Sequence, residues 1–413
     1  MRHYIKPVVF IGFLFLMILS GEASAQPIAA SGPPVYATPS DSLPAKWKHL
    51  EWRLSAGING SWVIPTNSYL RGDNLAGASI PMAMAGRFTA DFSFNPESQT
   101  ARIYPGLYQG FGVDVRTFFH KDLLGAPVSL YILQGMPFKR FTDRLTLGYE
   151  WRFGCALGWK HIYSAETNPY NNAVSTNVTA HMEVGLKLHY LMSRHWQLNF
   201  GWEVIHFSNA NTSWPNKGIN MTGLSMGVSY LHGDRKPKPP TPELDDHFDS
   251  GRRWFCDMLA YTGWHKKRYK ISKGVYTSFN DVFVVNGLRV GPMYQANRYL
   301  RVGGMLDLKY DQASRVMPIG EVHENKEIKE YTRPSIFRQF SLGILGGAEL
   351  AMPVFSVNAS VGYNFLCPKG DKRFYQSLTV KAFVYSGIYL NVGYQIANFS
   401  EPLNLTLGIG ALI

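Results

Sequence analysis

The sequence predicts an all-β protein, an outer-membrane antiparallel β-barrel. The expected architecture is two tandem eight-stranded barrels, with one larger barrel of about 16 strands as the alternative. Three observations predict it. The chain opens with an export signal. No later segment approaches the roughly 20 consecutive apolar residues that a membrane-spanning helix needs. From residue 50 onward, stretch after stretch alternates apolar with polar or small residues, the period of a strand whose two faces meet different surroundings. Composition agrees: aromatic residues are 14% of the chain, charged residues only 17%, and glycines number 39. That mix suits glycine-relieved strands with aromatic girdles better than a water-soluble enzyme.

The address comes first. Arg2, His3 and Lys6 precede the apolar run 7–19, and Ala23-Ser24-Ala25 before Gln26 fits an A-x-A cleavage site. Residues 1–25 therefore read as a secretory signal peptide. No cysteine follows the apolar run, so no lipoprotein anchor is expected. Residues 26–47, rich in Pro, Ala and Ser, read as a loose periplasmic lead-in.

A first barrel is expected over 48–232, with strands near 50–63, 80–95, 107–119, 126–139, 143–159, 176–192, 194–208 and 219–231. In the fifth, Leu145, Leu147, Tyr149, Trp151, Phe153 and Leu157 oppose Thr146, Gly148, Glu150, Arg152 and Gly154. In the sixth, Met182, Val184, Leu186, Leu188 and Tyr190 oppose His181, Glu183, Gly185, Lys187 and His189. Opposite charges on the second face, with Glu203 of the seventh strand, would neutralise one another inside a narrow lumen. Residues 233–251 combine prolines with mixed charge and read as a linker. A second barrel-like half follows over 252–413, with strands near 252–266, 274–292, 295–310, 336–349, 352–366, 373–386, 388–400 and 403–413.

The two halves echo each other. LNFGWEVIHFS (198–208) aligns without a gap onto LNVGYQIANFS (390–400), with Asn398 where the first copy has His206. The second half therefore repeats the strand without the histidine.

Net charge is +12. A basic exported chain is drawn to anionic surfaces, here phosphorylated lipid rather than nucleic acid, with general surface charge as the alternative. Cys155, Cys256 and Cys367 are odd in number and widely spaced, with no metal-like cluster.

One stretch carries chemistry. Trp196, Leu198, Phe200, Trp202, Val204, His206 and Ser208 share one face of the seventh strand, so an apolar aromatic band ends in a histidine and a serine. A serine hydroxyl becomes a nucleophile when a nearby histidine takes its proton. The same pair is also what a girdle histidine beside a loop-opening serine would look like. In an even-stranded barrel with periplasmic termini the seventh strand runs outward, which would set the pair at the outer leaflet.

HFSNANTSWPNKGIN (206–220) resembles the signature of the PagL-like lipid A 3-O-deacylases, also termed acyloxyacyl hydrolases. His206, Ser208, Asn209 and Ala210 match, as do Pro215, Asn216, Gly218 and Ile219. The resemblance implies an eight-stranded outer-membrane barrel with a Ser-His-Glu triad on its lipid-facing surface. It implies that Ser208 attacks the ester carbonyl, that His206 is base and then acid, and that Asn209 with nearby backbone N–H groups holds the oxyanion. The family's glutamate falls at Asn220, which shares the outer face. Asparagine can still accept a hydrogen bond from the imidazole, but it brings no charge to an imidazolium.

The expected function is an outer-membrane serine hydrolase that removes an ester-linked acyl chain from lipid A. The alternative is a catalytically impaired barrel serving as a lipid-binding or structural protein. No cofactor or metal is expected, because serine–histidine chemistry needs none. The expected partners are lipopolysaccharide, through lipid A, and the membrane itself, with a homodimer as an open alternative and no nucleic acid. His181 and His189 read as lumen hydrogen-bonders. Trp264-His265-Lys266-Lys267-Arg268 reads as a basic rim, either a solvated loop or a contact for lipid phosphates.

Overall fold

Alternation of this kind closes into barrels. The computed structural model describes residues 50–232 and 253–413, except 97, 121, 274, 324, 325, 386 and 400. The signal peptide, the lead-in and the linker expected at 1–25, 26–47 and 233–251 lie outside the described residues.

The first barrel comprises β1 (Leu50–Ile64), β2 (Met82–Phe94), β3 (Tyr108–Thr117), β4 (Gly125–Arg140), β5 (Leu145–Trp159), β6 (Val178–Leu191), β7 (Trp196–Ser208) and β8 (Ile219–Leu231), with one short helix, α1 (Gln99–Ile103). The second comprises β9 (Trp254–Ser272), β10 (Val275–Gln295), β11 (Leu300–Asp311), β12 (Phe340–Leu350), β13 (Phe355–Leu366), β14 (Phe374–Tyr385), β15 (Ile388–Ala397) and β16 (Glu401–Leu412). Each set of eight is antiparallel and closes on itself, first strand against last. The chain therefore forms two eight-stranded barrels, and the single larger barrel is excluded.

Burial fixes which face is which. On β7, Trp196, Phe200 and Trp202 are 40–45% exposed, whereas Glu203, Ile205 and Phe207 are fully buried. The apolar face therefore points outward, as a membrane barrel requires and a soluble one forbids. Leu54, Ile58 and Trp62 on β1 and Leu224, Met226 and Tyr230 on β8 continue the band.

The first lumen is packed in two zones. Its lower part is an ion network. Arg87 bonds Asp114 at 2.9 Å, Glu183 at 2.6 Å and Glu203 at 2.9 Å, and Arg152 bonds Glu150 at 2.5 Å and Glu183 at 2.9 Å. Lys187 pairs with Glu203, Arg116 lies 3.6 Å from Asp114, and Arg53 bonds Asp91 at 2.9 Å. Arg53, Arg87, Arg116, Arg152 and Lys187 thus balance Asp91, Asp114, Glu150, Glu183 and Glu203, as burial of charge demands.

The upper part departs from the polar lumen that alternation predicts. Ile205, Phe207, Ile219 and Met221 point inward but pack with Val63, Tyr69, Leu70, Phe118, Leu123, Trp159 and Val174 from the surrounding strand ends and loops. Loops 65–81 and 160–177 fold over that end of the barrel and supply a small apolar core. The opposite end, where residues 50 and 231 lie, carries the tight turns 141–144 and 192–195.

Candidate active site

Strand pairing assembles the site at the long-loop end. The β7–β8 register sets His206 directly opposite Asn220, and barrel closure sets Ile64 of β1 on the other side of Asn220. His206 Nδ1 and Asn220 Oδ1 are 2.7 Å apart, and Asn220 Nδ2 donates to Thr66 Oγ1 at 3.3 Å. The two contacts orient the amide. With its nitrogen turned to Thr66, its oxygen faces the ring and accepts from Nδ1–H. That tautomer leaves the Nε2 lone pair free, the form a general base requires.

Ser208 lies two residues beyond His206 on the same outward face and is 4% exposed. Its Oγ accepts from Ala210 N–H at 3.4 Å, and no hydrogen bond joins it to the imidazole in this structure. Such bonds are often long before substrate arrives. Gly218 packs against both side chains. A Cβ built there would lie 3.1 Å from His206 Cε1, 3.5 Å from Ser208 Cβ and only 2.6 Å from the Phe207 carbonyl oxygen. Its φ of +66° also demands glycine.

The loop 209–218 is tied on several sides. Asn209 donates through Nδ2 to Ser175 Oγ at 2.9 Å and to the Ser213 carbonyl at 3.1 Å, while its backbone N–H donates to Asn216 Oδ1 at 3.1 Å. Asn209 Oδ1 accepts from Asn211 N–H at 3.0 Å. The hydrogen-bonding groups of the Asn209 side chain and its backbone N–H are thus engaged in shaping the loop. The donor aimed at Ser208 is instead the backbone N–H of Ala210. Ala210 and Asn211 hold φ of 53° and 68°, a left-handed step directly after the serine. Strain of this kind is kept where surrounding contacts over-determine it.

Neighbouring loops complete the frame. Asn67 Nδ2 donates to the Gly218 carbonyl at 3.0 Å, and Lys217 and Gly218 N–H groups donate to the Asn172 and Ala173 carbonyls at 3.0 and 3.1 Å. Tyr69 OH donates to the Leu123 carbonyl at 2.8 Å, and burial pushes its pKa up to about 12, so it stays a neutral donor. Ala210 and Gly218 stand within the matched stretch 206–220, whereas Thr66, Asn67 and Ser175 lie outside it. The contacts of Thr66, Asn67 and Ser175 join segments far apart in the chain, and no local pattern announces them.

The weaker candidates resolve differently. His189 bonds Asn199 Oδ1 at 2.8 Å and Tyr108 OH at 3.3 Å within the lumen. His181 stacks on Phe207 with ring centroids 4.9 Å apart and lies 3.5 Å from Glu183. Asp114, His181 and Glu183 converge closely enough to suggest a metal cluster. Arg87, Arg116 and Arg152 already neutralise those carboxylates, so the cluster belongs to the ion network. Glu203 lies in the lumen and cannot orient His206 from there.

Two family models match the chain. The lipid A 3-O-deacylase (PagL) model covers residues 134–229, and the acyloxyacyl hydrolase C-terminal domain model covers 254–412. The chain belongs to the PagL-like lipid A deacylase family. The family is one of acyl-ester hydrolases and points to a Gram-negative outer membrane. No curated protein sequence matches the chain. Among solved structures, Neisserial surface protein A is 10% identical, with a TM-score of 0.30, over 43% of this chain and 96% of its own. A triple mutant of the Rhodopseudomonas blastica porin is 8% identical, with a TM-score of 0.16, over 88% of this chain and 100% of its own. Likeness at this level carries no argument about activity.

Proposed function

We propose that the chain is an outer-membrane serine hydrolase that releases an ester-linked acyl chain from lipid A. The observation that carries this reading is the Thr66–Asn220–His206 relay, which orients the imidazole with Nε2 unengaged, two residues before Ser208 on the same strand face. The long loops 65–81 and 160–177 support reading that end as extracellular, because outer-membrane barrels keep their short turns in the periplasm. An ester at the boundary between sugar and acyl chain would then meet the site from the outer leaflet.

In this mechanism Ser208 Oγ attacks the ester carbonyl carbon while its proton passes to His206 Nε2. The Ala210 N–H stabilises the oxyanion that forms, and Asn209 holds the loop that aims it. Collapse expels the sugar hydroxyl oxygen, which takes the proton from His206, and leaves an acyl-serine. Water then attacks with His206 again as base, releasing the fatty acid and restoring the hydroxyl. Asn220 orients the ring without offsetting the imidazolium charge, so turnover is slower than an acid at that position would give.

The test is incubation of the purified full chain with lipid A, followed by mass spectrometry. The expected result is loss of one acyl chain with the wild type and none with Ser208→Ala. Unchanged lipid A with both would leave a lipid-binding or structural role in its place.

A further inference from the structure

The second barrel carries a surface that the hydrolase reading does not use. β16 pairs with β9 only as far as Trp264, and β11 pairs with β10 only as far as Val285. The β9–β10 ladder continues to Ser272 opposite Val275. Residues 265–272 and 275–284 therefore form a two-stranded ribbon that rises past the barrel wall.

Its two faces do different work. On the inner face Lys267 Nζ donates to the Ala313 and Val316 carbonyls at 2.7 and 2.9 Å, and His265 bonds Asp311 at 3.1 Å. Phe279 and Phe283 are buried there against Ala313, Val316 and Ile328, which seats the ribbon on loop 312–339. On the outer face Lys266, Arg268 and Lys270 follow Trp264 at every second position, so they climb away from the exposed apolar wall about 7 Å apart. Val284, Leu288 and Val290, all exposed, continue that wall below them. Arg268 sits 5.9 Å above the ring of Tyr276. Among the described residues, the acids nearby include Glu327, which pairs with Lys266, and Asp281, already held by Tyr331 and Arg333. The Asp281–Arg333 pair is open to solvent and weak, whereas the Lys266 side chain is only 12% exposed in its pair with Glu327, so Arg268 and Lys270 are the cations most open to a new anion.

We propose that this cation ladder binds the phosphate groups of lipid A while the acyl chains lie along the apolar wall beneath. Three alternating cations directly above an aromatic at the edge of an apolar band stand where headgroup phosphates meet hydrocarbon. The wall below makes the occupant a phosphorylated glycolipid rather than a free anion. The ligand is thus held on the second barrel independently of whether Ser208 hydrolyses anything.

The test uses the full chain carrying Ser208→Ala, so that lipid is not consumed, in detergent micelles. Binding of bis-phosphorylated lipid A is compared with binding of the same lipid stripped of phosphate. We expect the triple variant Lys266→Gln, Arg268→Gln, Lys270→Gln to bind phosphorylated lipid A about tenfold or more weakly, with little change for the stripped lipid. The charge-keeping variant Lys266→Arg, Arg268→Lys, Lys270→Arg should retain the preference, and gel mobility with and without heating checks that each barrel is folded. Equal binding by the triple glutamine variant and its parent would overturn the proposal, as would equal weakening for both lipids. Displacement of lipid A by inorganic phosphate at matched concentration would overturn it too, by showing a free-anion site.

Discussion

Asn220 is the residue on which the chemistry turns. A carboxylate presents oxygen to a histidine whichever way it rotates, whereas an amide must be held oxygen-first, and Thr66 does the holding at 3.3 Å. Replacing Asn220 by Glu should raise turnover at least about tenfold, since removing the orienting charge in a soluble serine hydrolase costs on the order of 10⁴. Thr66→Val should lower turnover several-fold in the natural chain and leave the Asn220→Glu variant almost unaffected. Steady-state kinetics on the four combinations measure that coupling, and equal losses in both backgrounds would remove Thr66 from the relay. Gly218 sets a second limit. Gly218→Ala brings a methyl against the Phe207 carbonyl and the His206 ring at a positive φ, so activity should fall while the barrel stays folded on a heat-modifiability gel.

At the scale of elements, loop 209–218 is what separates the two copies of the repeated strand. β7 and β15 are the seventh strands of their barrels, and the gapless repeat sets Asn398 at the place of His206. His206 is still in the strand, but Asn398 has already left it. Asn398 and Phe399 hold φ of 50° and 57° and turn the chain at once toward β16. Two successive left-handed residues make a tight hairpin, with no room for the loop that frames Ser208. Asn398→His should therefore restore no hydrolysis to a Ser208→Ala chain in the lipid A assay. Asn209→Ala should loosen the first-barrel loop by about 1–3 kcal/mol, the cost of stranding buried partners, and increased protease nicking at 209–218 would register it.

Much of this was legible in sequence. Period-2 alternation located the strands to within a few residues over most of both halves, because each inward position is constrained by a lumen and each outward one by lipid. The resemblance and parity put His206, Ser208 and Asn220 on one face, and strand pairing joins His206 to Asn220 while no hydrogen bond joins Ser208 to the imidazole. What alternation could not show was the apolar cap of the first lumen: Ile205 and Phe207 sit on the face that reads as polar further down the strand. The ribbon of β9 and β10 was likewise hidden, since Trp264 to Arg268 looks the same whether a neighbouring strand continues beside it or stops.

For the whole molecule, each barrel closes its own hydrogen-bond ladder, first strand against last, so that among the described residues only the β9–β10 ribbon extends beyond a closed wall. The first is held from inside by balanced charge. Glu203 accepts from Arg87, Lys187, Asn59 and Ser225 at once. Glu203→Gln should leave two buried cations under-compensated and cost about 3–5 kcal/mol, read as a lower unfolding temperature on heat-modifiability gels with the outward site chemically intact. The most direct measurement on the complete protein is its intact mass after reaction with a long-chain alkyl phosphonate ester, a mimic of the tetrahedral intermediate. One adduct per chain is expected, mapping to the peptide that carries Ser208 and absent from Ser208→Ala. An unmodified chain, or an adduct that persists in Ser208→Ala, would contradict a nucleophilic Ser208.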